Sequence, residues 1–143
     1  MLATGGSSAN VLKGLASLGE KCALLSHLGK DPLGDFFRRS MEILGIEGLF
    51  TFSSDPTARV LCLITPDGER TMRFCIQSYS IDDQFIHPHV LQNVCLVHHE
   101  AYSLNNGDIL PRLISMAKKK RIVNSLDLSS FEVVDSHRMH LTL

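Results

Sequence analysis

The sequence predicts an α/β fold: a mostly parallel sheet flanked by helices, with a β-hairpin inserted at its edge. Three observations carry that prediction. Apolar residues recur at helical spacing in three stretches, and short apolar runs of strand length lie between them. The middle of the chain switches to a period of two on either side of a Pro-Asp-Gly turn. Strands that alternate with helices pair in parallel, because each returning helix covers the sheet face it crosses.

The first helical stretch opens at Gly5-Gly6-Ser7-Ser8, where two glycines free the backbone and either serine can cap the helix that follows. Val11, Leu15 and Leu18 share a face with Leu12 and Ala16 beside them, so 8–18 reads as a buried helix that Gly19 ends. Gly14 inside it costs roughly 1 kcal/mol against alanine. An apolar run over 21–28 has strand length. Asp31-Pro32 then starts a second helix, the carboxylate capping free N–H groups and the proline suiting the first helical position. Leu33, Phe37, Met41 and Leu44 form its apolar stripe, and Gly45 closes it.

Residues 59–65 and 70–76 are strand-like, and Pro66-Asp67-Gly68-Glu69 between them is turn chemistry. Met72, Phe74 and Ile76 point one way while Thr71, Arg73 and Cys75 point the other, which predicts a hairpin with one solvated face. Beyond it, 94–98 is an apolar strand core. Asn106 is a candidate cap for a third helix carrying Leu110, Leu113, Ile114 and Ala117 on one face. Lys118-Lys119-Lys120-Arg121 ends that helix, where cations oppose the negative end of its dipole, and a last strand covers 122–128.

Composition narrows the function classes. A chain of 143 residues with 44% hydrophobic and 20% charged residues is one domain with a real core, not a disordered segment. A formal net charge of -1 gives no electrostatic case for nucleic acid or an anionic membrane. No apolar stretch approaches the ~20 residues that span a bilayer, and Met1-Leu2-Ala3-Thr4 lacks the pattern of a signal peptide. Cys22, Cys62, Cys75 and Cys95 form no Cys-x-x-Cys pair. Three of them sit in apolar runs, so all four are expected to be free thiols, mostly buried, in a cytoplasmic protein.

The best candidate site is Gly5-Gly6-Ser7-Ser8-Ala9-Asn10. Glycines let backbone N–H groups approach a ligand, a helix N-terminus favours electron-rich oxygens, and Asn10 offers donors and an acceptor to a hydroxyl. Glycine-serine loops before helices are common, so spacing alone favours an ordinary helix start over a ligand site. The segment is neither a P-loop nor a Rossmann G-x-G-x-x-G. Among seven histidines only His87-x-His89 and His98-His99 are close, and neither has zinc-site spacing, so no metal site is expected. Glu100, directly after the 94–98 strand, stands where α/β sheets gather ligands; a carboxylate there can accept hydrogen bonds from a polyol, and the alternative is a surface or structural acid.

In chain order, Gly5-Gly6-x-x-Ala9-Asn10, Leu18-Gly19, Gly29-Lys30-Asp31-Pro32-Leu33-Gly34 and Gly45-Ile46 resemble the N-terminal signature of the PfkB (ribokinase) family of small-molecule kinases. Thr57-Ala58-Arg59 leading to Pro66-Asp67-Gly68-Glu69-Arg70-Thr71 resembles the hairpin that follows in that family. His99-Glu100-Ala101-Tyr102 and the run from Ser125 to Phe131 resemble its next two strand ends, most closely in the adenosine-kinase-like branch. The similarity runs from Gly5 to about Arg138, leaving 139–143 as a divergent tail.

The resemblance implies a partial ribokinase-like fold whose hairpin, with a lid segment of about 47–80, covers the site. It also implies ATP-dependent phosphorylation of a hydroxymethyl group on a sugar or nucleoside. Gly6, Ser7, Ser8, Asn10 and Glu100 would bind that acceptor. The complete family enzyme uses ATP and Mg2+, while this chain is expected to bind neither and to carry no catalytic residue. The family's general base is the aspartate of a later G-A-G-D motif; here only Gly34-Asp35 and Gly107-Asp108 join glycine to aspartate, outside that context. Only four residues precede Gly5, where the family has a strand with an acceptor-binding aspartate. Residues 76–80 replace a Gly-Ala pair usual in the family. The expected product is thus an incomplete kinase domain (1–143) supplying acceptor-binding and lid elements. The alternative is an inactive truncated isoform or fragment acting as a binding module and associating with itself through an exposed sheet edge.

Overall fold

In the computed structural model, residues 2–75 and 86–141 are described, and they fall into two compact units, one in the first 80 residues and one in the remainder. Segment 76–80 and the last two residues of the divergent tail lie outside the described residues. The first unit runs α1 (Ser7–Ser17), β1 (Ala23–Gly29), α2 (Pro32–Ile43), β2 (Glu47–Ser53), β3 (Arg59–Ile64) and β4 (Arg70–Cys75). β1 and β2 pair in parallel from Ala23↔Glu47 to Gly29↔Ser53, with α2 as their crossover. β3 and β4 form the antiparallel hairpin, Arg59 opposite Cys75. β2 is an element that its sequence does not announce, and it takes residues 47–53 of the expected lid segment into the β1 sheet.

The core of this unit is Ala9, Leu24, Met41 and Ile46, with Leu12, Ala16, Cys22, Phe37 and Phe50 packed against them. Phe37 and Phe50 meet edge to face at 6.1 Å. α1 therefore turns its Ala9–Leu12–Ala16 stripe inward, not the Val11–Leu15–Leu18 face; Leu18 is 79% exposed. Both stripes satisfy helical spacing, and the small alanines win because they let the helix lie close on β1. α2 ends with Gly45 N–H donating to Glu42 O and Ile46 N–H to Met41 O, so the buried pair Met41 and Ile46 also closes the cap.

The hairpin differs from expectation in exposure. Its turn is as read, Gly68 N–H donating to Thr65 O at 2.8 Å. However, every residue of β3 and β4 is exposed, including the apolar face of Val60, Ile64, Met72 and Phe74. The alternation is real, but a two-stranded ribbon buries a face only where another layer lies on it. Cys62, Cys75 and Cys95 are likewise exposed and Cys22 half-buried, so they are not the buried cysteines that their apolar neighbours suggest.

The second unit runs through a 3-10 turn (Pro88–Leu91), β5 (Leu96–Glu100), a second 3-10 turn (Ala101–Asn106), α3 (Ile109–Lys119), β6 (Val123–Asp127), α4 (Phe131–Ser136) and α5 (Arg138–Leu141). β5 and β6 are parallel, Leu96 opposite Val123 through Glu100 opposite Asp127. Ile109, Leu110 and Ala117 of α3 are buried, along with Leu91, Ala101 and Val133. The N-cap of α3 is Asp108, not Asn106, because 101–106 winds as a 3-10 turn and delays the helix. Arg121 follows α3 at φ 58, and its N–H donates to Lys118 O as the basic end unwinds. Among the described residues no helix is long and apolar enough to cross a membrane.

One polar knot fixes the turn from β1 into α2. Asp31 accepts from Gly34 N–H (2.7 Å), Thr57 N–H (2.8 Å) and the Thr57 hydroxyl (2.7 Å), while Gly29 N–H donates to Thr57 Oγ1 (3.0 Å). A Cβ on Gly29 would strike the backbone at 55–57, and one on Gly34 would strike Gly29 O, so two glycines bracket the aspartate because backbones touch there. Replacing Asp31 by alanine removes the cap of α2 and leaves the buried Thr57 donors without an acceptor. The expected loss in chemical denaturation is about 2–4 kcal/mol. Asp35→Ala, on the exposed face of the same helix, should cost less than about 0.5 kcal/mol.

Candidate functional site

The predicted site residues fall in both units. In the first, Gly6 is the N-cap of α1, at φ 103 and ψ 137, a conformation open to glycine and strained for any other residue. The N-cap is Gly6, not one of the expected serines, so the N-cap residue makes no side-chain cap hydrogen bond, and its carbonyl accepts from Asn10 N–H at 3.0 Å. Ser7 and Asn10 are exposed, Ser8 is half-buried, and the buried methyl of Ala9 pins the turn to the core. Lys13 Nζ donates to Thr4 O at 2.7 Å and to Asn10 Oδ1 at 3.4 Å, which ties the incoming chain and the Asn10 amide to one cation. The result is a short polar rim of hydroxyls, one amide and early helical N–H groups.

In the second unit, several polar and ionisable side chains gather at the carboxyl ends of β5 and β6. Glu100 is the last residue of β5 and only 7% exposed, with Ala101 fully buried behind it. Its cross-strand neighbour is Asp127, an exposed acid whose Oδ1 accepts from Ser129 N–H at 2.7 Å. Ser129 sits at φ 70 and its hydroxyl accepts from Tyr102 N–H at 3.2 Å, joining the loops that leave the two strands. His98 and His99 point to opposite faces. His98 Nδ1 lies 3.1 Å from Ser125 Oγ, and His99 Nε2 lies 2.9 Å from Asn124 Oδ1.

Donor atoms of His98, Glu100 and Asp127 lie within 4.8 Å of one another, a grouping that reading close histidine pairs misses. Its signal is His-x-Glu, since alternate strand residues share a face, but the third member needs the β5–β6 register. A comparable polar ladder crosses the first parallel pair, where His27 Nδ1 meets Thr51 Oγ1 at 2.6 Å and Nε2 meets Ser53 Oγ at 3.0 Å. Beside it, Gly29, Lys30, Asp31, Pro32, Asp35 and Phe52 line an open hollow. Asp31 there is taken up by its three donors, which hold its carboxyl below the usual range.

Comparison with known proteins adds the following. The family model for pfkB family carbohydrate kinases matches residues 2–137. Aminoimidazole riboside kinase of Salmonella typhimurium is 36% identical over 74 residues, 50% of this chain and 23% of that protein. Adenosine kinase from Sinorhizobium meliloti superposes with a TM-score of 0.84 at 24% identity, over 96% of this chain and 44% of that one. Adenosine kinase from Schistosoma mansoni, in complex with adenosine, gives 0.83 at 16% identity, over 97% and 43%. A putative ribokinase II from E. coli, in complex with ATP and Mg2+, gives 0.81 at 20% identity, over 94% and 46%. The chain thus spans less than half the length of these relatives and shares their α/β ribokinase-like fold.

His99 supplies a test of the β5–β6 packing. Burial lowers its pKa, the neighbouring His98 charge adds to that, and the Asn124 bond opposes both. The unfolded chain therefore binds a proton more readily than the native one. Stability from this group is complete above the ordinary value of 6.5 and is lost as pH falls below it. Thermal melting between pH 7.5 and 5.5 should show Tm falling with pH, and His99→Gln should flatten that slope. An unchanged slope would assign the proton uptake to another group.

Proposed function

Because this chain belongs to the pfkB family of carbohydrate kinases, we propose that it supplies the acceptor-binding and lid elements for ATP-dependent phosphorylation of a hydroxymethyl group on a sugar or nucleoside. The observation that carries this reading is Glu100, a nearly buried carboxylate at the carboxyl end of a parallel strand pair. An acid so placed accepts hydrogen bonds from a polyol in a site from which water is largely excluded, and α/β sheets bind ligands at that end. Gly6, Ser7, Ser8 and Asn10 are proposed to meet the acceptor from the start of α1. Gly6 opens the backbone, Asn10 offers an exposed amide, and the serines offer hydroxyls. The riboside and adenosine kinases among the relatives favour a ribose-bearing acceptor.

The described residues do not fit the nucleotide side of the reaction. Around the start of α1 the cation in the described contacts is Lys13, already engaged by Thr4 O and Asn10 Oδ1, so that rim makes a poor cradle for a triphosphate. The donor set of His98, Glu100 and Asp127 includes an imidazole, whereas Mg2+ demands oxygen ligands and retains its waters. The reading therefore gives this chain acceptor recognition and assigns neither ATP, Mg2+ nor the general base to its residues. By itself it binds an acceptor without phosphorylating it, as an interaction module would.

Calorimetric titration with adenosine and with ribose tests the assignment. One of them should bind weakly, and Asn10→Ala and Glu100→Gln should each weaken that binding about tenfold, the loss of one hydrogen bond of ~1 kcal/mol. Binding that neither substitution changes would remove the acceptor site from these residues.

The exposed apolar face of the hairpin supports self-association as part of the same proposal. Val60, Ile64, Met72 and Phe74 are each roughly half exposed or more, and among the described residues the outer edges of β3 and β4 pair with no other strand. Light scattering of the 15.8 kDa chain should give a mass above the monomer, and Phe74→Lys should lower it. A monodisperse monomer would end this part of the reading.

A further inference from the structure

We infer that His98, Glu100 and Asp127 form a binding site for a divalent transition cation of the Zn2+ class, at the carboxyl ends of β5 and β6. The inference concerns these side chains alone and stands whether or not the chain binds a kinase acceptor.

Three independent features converge on it. The first is the donor set: one imidazole and two carboxylates whose ligand atoms lie within 4.8 Å of one another. Histidine nitrogen with carboxylate oxygens suits zinc with a further position left to water. The second is His98 itself. Its Nδ1 lies 3.1 Å from Ser125 Oγ, so with Nδ1–H donating, the lone pair is on Nε2. That Nε2 is shut off from solvent and has no hydrogen-bond partner among the described residues. A buried, unmatched ring nitrogen calls for an explanation, and a histidine whose other nitrogen is held by a neighbour is the usual form of a metal ligand. The third is the placing of Glu100 directly opposite Asp127 across the parallel pair. Like charges facing each other across strands repel, and a cation between them converts that repulsion into attraction.

The scaffold is rigid where a ligand set needs rigidity. His98 and Glu100 are alternate residues of one strand and share a face, Glu100 is 7% exposed, and Ser129 N–H orients the Asp127 carboxylate from outside. Zinc bonds of about 2.0–2.2 Å put neighbouring ligand atoms about 3.3–3.5 Å apart in a tetrahedron. Separations of up to 4.8 Å therefore close by at most about 1.5 Å of side-chain movement. The exposed Asp127 is the member free to make it. Mg2+ is the wrong partner, because it prefers an all-oxygen octahedron and dehydrates reluctantly.

The test titrates the full chain with ZnCl2 by calorimetry and with CoCl2 by visible absorption, in the presence of millimolar Mg2+. The expected result is one site per chain that Mg2+ does not displace. The cobalt bands should have nitrogen–oxygen character without a thiolate charge-transfer band, and His98→Gln and Asp127→Asn should each weaken binding tenfold or more. Circular dichroism checks the fold of each variant. If His98→Gln unfolds, Asp127→Asn decides alone, since that side chain is exposed. Absence of binding, binding indifferent to Asp127→Asn, or a thiolate band marking the exposed cysteines as ligands would each overturn the inference.

Discussion

The first unit depends on where the chain leaves β1, and that point is set by the Asp31 carboxylate. It caps α2 through Gly34 N–H and binds Thr57 through both its backbone N–H and its hydroxyl, while Thr57 in turn receives Gly29 N–H. One acid thereby joins the end of a strand, the start of a helix and the segment leading into the hairpin. Parallel pairing of β1 with β2 follows, because the crossover must start at a fixed place and angle for Met41 to reach the pocket it shares with Leu24 and Ile46. The two flanking glycines are part of the same constraint, since neither position has room for a side chain.

The second unit is organised by parallel register rather than by a cap. With Leu96 opposite Val123, His98 faces Ser125 and Glu100 faces Asp127 as direct cross-strand partners, while His99, opposite Leu126, reaches diagonally to Asn124, two residues back along β6. His99 and Asn124 satisfy each other on the inner face, whereas His98, Glu100 and Asp127 collect at the strand ends. Buried polar atoms are stable only when paired. A sheet that places so many of them together must satisfy them internally or through a ligand.

Much of this was legible in the sequence where one strong local signal decided the structure. Asp31-Pro32 placed the start of α2, Pro66-Asp67-Gly68 placed the hairpin turn, and the apolar period placed α3. β2 was not legible, because Glu47–Ser53 has no clear alternation, its one buried residue being the polar Thr51, and it is a strand by virtue of lying beside β1. The buried face of α1 was misread because two stripes fit the helical period, and only packing against β1 distinguishes small alanines from larger residues. At the candidate site, Gly6 and Glu100 could be singled out from glycine chemistry and strand-end position. The neighbourhood of Asp127 could not, because it exists only through the pairing of residues 27 positions apart in the chain.

Glu100 carries two readings at once, and the physical chemistry relates them. A hydroxyl donating to a buried carboxylate contributes a net of about 1–3 kcal/mol, since it replaces a bond to water. A divalent cation gains far more from the same oxygen once Asp127 and His98 join, because its charge is opposed by two carboxylates in a partly dry setting. If both proposals hold, a polyol would bind there either by displacing the cation's water and binding beside it or by meeting the site empty. Which applies depends on the reach of Asp127: turned inward it completes a cation site, and turned toward solvent it leaves Glu100 to the hydroxyls. Under both proposals, the Ser129 N–H that holds Asp127 Oδ1 at 2.7 Å would be the contact on which the choice of ligand turns.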